Sequence, residues 1–98
     1  MNGCRPPDRD EVIERELRDR IRAGDEHALG LLLARHRSGL ELLCHLMLGD
    51  VTKARIAMAD TAIAAWDERS GLDSAASARV WLYKLALRAC FNTIQRQR

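Results

Sequence analysis

Apolar residues recur at three- and four-residue spacing through most of this chain, and no stretch alternates apolar with polar as a half-buried strand would. From Asp10 to Ala23, Val12, Ile13, Leu17 and Ile21 share one helical face. Glu11–Arg15, Glu14–Arg18 and Glu16–Arg20 are spaced one turn apart with the acid leading, the orientation that best supports a helix. Gly24 ends this element. Asp25 is placed to cap the next helix, which is expected to reach about Leu48 and to bury Leu29, Leu32, Leu33, Leu40, Leu43 and Met47. Gly39 falls inside it, where glycine is about 1 kcal/mol worse than alanine. Gly49-Asp50 forms a turn, and a third helix spans roughly 52–68, with Trp66 near its end. The Ser/Gly/Asp-rich stretch 69–77 is the one substantial loop. A fourth helix follows, with Ser77 as its cap and Val80, Trp81, Leu85, Leu87, Ala89 and Ile94 as apolar contacts. The pattern predicts an all-α protein, a compact four-helix bundle over residues 10–98 with its first helix loosely attached. Residues 1–9 are expected to form a flexible leader, with Pro6-Pro7 opening the first helix.

Composition narrows the function. A chain of 98 residues makes one domain, and its apolar residues are mostly Ala and Leu, which gives a core adequate for cooperative folding but not for a deep ligand cavity. No apolar run approaches a membrane span, and the polar start offers no signal segment, so a cytoplasmic protein without a membrane partner is expected. Cys4, Cys44 and Cys90 are widely spaced and odd in number, which fits reduced thiols, with Cys44 and Cys90 as small core residues. His27, His36 and His45 are nine apart, so each is rotated by about half a turn from the last and they cannot converge on a metal. There is no glycine-rich phosphate loop and no nucleophile elbow. The expectation is a non-enzymatic protein with no cofactor and no metal.

Charge is unevenly distributed. Residues 1–50 carry eight Lys/Arg against ten Asp/Glu, residues 51–74 three against four, and residues 75–98 five against none, although the whole chain has a net charge of only +2. Arg79, Lys84, Arg88, Arg96 and Arg98 are interleaved with Trp81, Tyr83, Phe91 and Asn92 in the final helix. Cations among aromatics with no carboxylates suit a polyanion whose bases can stack. Trp66 and Trp81 are expected to anchor the crossing of the last two helices. Counting from an inward Trp81 puts Tyr83 near the exposed side, as the better candidate for touching a base.

Ile21-Arg22-Ala23-Gly24-Asp25-Glu26-His27-Ala28, then Arg35-His36-Arg37, Leu48-Gly49-Asp50 and Ala65-Trp66, follow one another in an order that resembles region two of bacterial extracytoplasmic-function sigma factors. The first run looks like the opening of that region, the next two match its second helix and turn, and Ala65-Trp66 the end of its third helix. Val80-Trp81-Leu82-Tyr83-Lys84-Leu85-Ala86 is similar to the Trp-Leu-Tyr-Arg-Ile-Ala signature of its promoter-binding helix. The resemblance implies a sigma region-two helical domain. Such a domain binds core RNA polymerase at the clamp helices of the beta-prime subunit and captures the melted minus-ten element, mainly the non-template single strand. An anti-sigma factor is a further candidate partner. Arg79, Tyr83, Lys84, Arg88, Asn92 and Arg96 are then the DNA-binding set, and Arg69, Ser70, Asp73 and Ser74 belong to a base-cradling loop.

The third helix departs from the family pattern. Where the family carries Asp, Gln-Glu and Phe, this chain has Ile56, Ala59-Asp60 and Ala62. Ile56, Ala59 and Ile63 make an apolar stripe around Asp60, which faces either the polymerase or another partner. Arg88 also replaces a small polar residue near the family's base pocket, strengthening phosphate attraction. A second reading is therefore a sigma-like protein-interaction module that no longer initiates transcription. A helix-turn-helix repressor is a weaker third, because stretch 69–77 is too long for that motif's turn. The uncapped end Gln95-Arg96-Gln97-Arg98 suggests a piece of a two-domain protein.

Overall fold

The computed structural model describes residues 8–75 and 77–96; the side chain of Ser74 is also outside the described set, as are the leader's Pro6-Pro7, Cys4 and Arg98. The chain is all-helical, with five α-helices and no strand among the described residues. They are α1 (Arg9–Arg22), α2 (Glu26–Arg35), α3 (Arg37–Leu48), α4 (Val51–Asp67) and α5 (Ala78–Arg96). A 3-10 turn, Arg69–Ser74, joins α4 to α5.

Local chemistry sets the ends. Asp8, Asp25 and Asp50 each accept a hydrogen bond from a backbone N–H in the first turn of the helix that follows, at 2.8 Å, 3.2 Å and 3.0 Å. Ser77 Oγ does the same for Val80 N at 3.1 Å. Gly24 and Gly49 sit at φ +96° and +64°, where a side chain would be strained, and each reverses the chain after a helix.

The long second helix of the sequence reading is two helices. At His36 the backbone leaves helical geometry (φ −111°, ψ 8°), and this one residue ends α2 and begins α3. No proline or glycine marks the break. Instead the His36 ring lies 2.9 Å from Glu14 of α1, beside Arg35, which bonds Asp10 at 3.0 Å. The kink lays α2 mainly on α1, with a smaller contact to α4, and lays α3 against both α4 and α5.

Nor is α1 loosely attached. Leu17 and Ile21 are buried in the common core with Leu29, Leu32, Leu40, Leu72, Leu82 and Leu85. Arg18 and Arg20 turn away from the one-turn partners expected of them. Arg20 bonds Asp25 at 3.0 Å, and with the Asp25 cap this holds that carboxyl below the usual carboxylate range. Arg18 reaches the far side of the domain and donates to the carbonyls of Leu72 (2.7 Å) and Ala75 (3.0 Å). Arg22 pairs with Asp73 at 2.8 Å. One helix thus clamps the turn that precedes α5, and Leu72 is carried into the core beneath it.

Candidate nucleic-acid interface

The final helix packs against both α3 and α4, and this decides where its side chains go. Its buried residues include Ala78, Trp81, Leu82, Leu85, Ala86, Ala89 and Cys90. At about 100° per residue, Ala89 marks the centre of that face, Trp81 lies about 80° to one side and Tyr83 about 120° to the other. Trp81 is thus inward, yet at the edge of a wide buried arc. Counting from it does not bring Tyr83 to the outside. Tyr83 is half-buried, packed against the core with its ring beside Gly39 of α3, and Arg79 stands over that ring at 5.4 Å from its centroid. The expectation of an outward base-stacking tyrosine is corrected on this ground.

The cations fall into two sets. On the α4 side, Arg88 makes a two-pronged ion pair with both carboxylate oxygens of Glu68, which keeps Glu68 ionised to lower pH and raises Arg88. Arg96 bonds Asp60 at 3.2 Å. Asn92 is exposed on the same seam, which Asp67 also lines. Two of the five cations of the acid-free stretch are therefore neutralised by carboxylates of α4 and its cap. Arg79 and Lys84 differ. Both are exposed, and neither makes an ion pair among the described residues.

The loop residues come together. Arg69, Ser70 and Asp73 line a cavity of about 300 Å³ with Arg22 and Asp67. Arg69 lies over the Trp66 ring at 4.1 Å and donates to the Trp66 carbonyl at 2.9 Å. Trp66 is half-buried, whereas Trp81 is the buried anchor of that corner. Arg22 and Arg18 were not among the sequence-derived candidates, whereas Asp67 begins the stretch that the resemblance marks as the base-cradling loop. Arg18 and Arg22 are one turn apart on α1, so their shared face was legible, but its target fifty residues away was not.

The α4 stripe is exposed, with Ile56 45% and Ile63 60% accessible and Ala59 open beside them. Asp60, in its midst, is half-buried and held by Arg96. Ile63 also borders an apolar groove against α2, lined by Leu29, Leu33 and Trp66 with Glu26 and Asp67 at its rim. Among the described residues, no group of three or more His, Cys, Asp and Glu is placed to hold a metal, and no helix is long and apolar enough to cross a membrane. Comparison with family models, curated proteins and solved structures finds no match.

Proposed function

We infer that this chain is a helical domain of the sigma-factor region-two kind, docking on core RNA polymerase through α4 and holding melted promoter DNA at the 3-10 turn and the head of α5. What carries the reading is the cavity lined by Arg22, Asp67, Arg69, Ser70 and Asp73, at the foot of a helix with no acidic residue. Its lining mixes donors with acceptors, which suits a base edge that presents both. Extruding a base costs a few kcal/mol, offset by contacts in the pocket and by cations on the strand. Arg79 and Lys84 supply that attraction directly. Arg88 and Arg96 reach phosphate only by exchanging carboxylate for phosphate. The resemblance over Val80-Trp81-Leu82-Tyr83-Lys84-Leu85-Ala86 supports the same reading. No group of this chain performs chemistry in it, since the polymerase makes the bonds.

The second reading, a sigma-like interaction module that no longer initiates transcription, is favoured by two observations: the open Ile56–Ala59–Ile63 stripe and the prior engagement of Arg88 and Arg96. Capture on isolated clamp helices, with single-strand binding measured by anisotropy, separates the two. The first expects capture that Asp60→Arg abolishes and Arg96→Gln spares, with oligonucleotide binding weakened by Asp73→Ala. Failure of wild type in both assays discards it, and a different partner lost on Ile63→Asp establishes the second.

A further inference from the structure

The outward pole of α5 is apolar. Val80, Leu87 and Phe91 fall within about 20° of the point opposite the buried face, and they are 46%, 37% and 51% accessible. The cations lie on the flanks of this stripe rather than on its crest. Beside it, towards α3, runs a groove lined by Leu43, Arg79, Val80, Tyr83, Lys84 and Leu87, with no acidic residue in its lining. Tyr83 meets Gly39, and further along the buried Cys44 and Cys90 neighbour one another, so α3 and α5 run parallel along it. Leu46 of α3 and Phe91 of α5 are exposed as well. From Val80 to Phe91 is about 16 Å of helix axis, or three turns.

A phosphate backbone is a poor occupant of this trough. Its lining is largely Leu43, Val80 and Leu87, which cannot satisfy phosphate oxygens, and its charge comes from Arg79 and Lys84 alone. We propose that the α3–α5 groove receives an amphipathic helix with acidic flanks from a partner protein. Leucine-like side chains spaced three and four apart enter between Leu43, Val80 and Leu87, and carboxylates beside them pair with Arg79 and Lys84. The charge complementarity is one-sided: both edge cations lack ion-pair partners among the described residues. The groove against α2 has Glu26 and Asp67 at its edge and would repel such a helix. Because Arg79 and Lys84 also belong to the proposed promoter contact, the acidic helix and a DNA strand exclude one another. Peptide binding, however, requires nothing of the promoter reading.

The test uses a labelled three-turn synthetic peptide with leucines three and four apart and glutamates on its flanks, alongside a version with lysine for every glutamate. Anisotropy measures affinity and amide shifts map the site. The glutamate peptide is expected to bind saturably, shifting Leu43, Val80 and Leu87, and to weaken with salt. Leu87→Glu and Lys84→Glu each weaken it by about tenfold or more, with circular dichroism confirming that both variants fold. Arg79→Glu combined with Lys84→Glu transfers preference to the lysine peptide. Equal binding of the two peptides to wild type, or a Leu87→Glu variant that binds as wild type does, overturns the proposal. So does a single-stranded oligonucleotide that shifts the Leu43 and Val80 amides where the glutamate peptide does not. Displacement of bound peptide by an oligonucleotide tests the promoter reading separately.

Discussion

The Tyr83 hydroxyl occupies the space that a side chain at Gly39 would fill. A Cβ built there would collide with that hydroxyl and stand 3.1 Å from Cζ. The glycine that looked like a helix defect is the contact that lets α5 approach α3. Gly39→Ala gains at most about 1 kcal/mol of helix propensity, yet it is expected to destabilise the domain by about 1–2 kcal/mol through overpacking. In a Tyr83→Ala background the same change becomes neutral or stabilising. Chemical denaturation of the four proteins in this cycle checks the reversal of sign.

Arg18 is expected to matter more than its neighbour Arg22. Its guanidinium satisfies two carbonyls of the turn at a partly buried site, and charged hydrogen bonds of this kind are worth about 1.5–3 kcal/mol. Arg18→Met should lower stability on that scale and speed amide exchange around Leu72. Arg22→Met, which removes only exposed pairs with Asp73 and Asp19, should leave the denaturation midpoint unmoved.

The Arg88–Glu68 pair makes a pH-dependent contribution. Glu68 titrates below its ordinary 4.5 because of the Arg88 hydrogen bonds and charge. The folded carboxyl therefore binds its proton less readily than the unfolded one. The stabilisation is fully present above about pH 4.5 and fades as pH falls through the lowered folded value. Arg88→Met should return the Glu68 carbon shift titration to the ordinary range. Glu68→Gln frees Arg88, and under the promoter reading it should tighten single-strand binding and steepen its salt slope by about 0.7. A slope that does not change would remove Arg88 from the DNA face.

Burial, with the Cys90 thiol alongside, pushes the Cys44 thiol up to about 12. The folded state holds that proton more tightly than the unfolded chain, so this stabilisation is complete below pH 9 and drains away as pH rises from 9 towards 12. Cys44 and Cys90 should resist iodoacetamide in the native protein at pH 8 and react only in denaturant, as mass spectrometry of digests would show. Rapid native alkylation of Cys44 would contradict the packing between α3 and α5.

Much of this protein was legible locally. Helix starts at Asp25 and Ser77, stops at Gly24 and Gly49, the burial of Leu29, Leu32, Leu40 and Leu85, and the buried pair Cys44 and Cys90 all follow from spacing and capping chemistry. The break at His36 was hidden, because no proline or glycine stands at that position and the Glu14 that His36 meets lies on another helix. The candidate site divided in the same way. Arg69, Ser70 and Asp73 could be nominated together because they share one short turn. Asp67 lies just before that turn in the same stretch of chain, but Arg22, which completes the cavity, comes from α1.

What the residue order by itself determined is the all-helical character, the caps at Asp25 and Ser77, and the absence of acids from α5, since each depends on neighbours within about one turn. Only the tertiary structure decided which of those cations remain free. An ion pair forms wherever packing brings opposite charges together, and the carboxylates that take Arg88 and Arg96 stand 20 and 36 residues away. The same packing, with α3 on one flank of α5 and α4 on the other, turned Tyr83 inward and left Val80, Leu87 and Phe91 facing water.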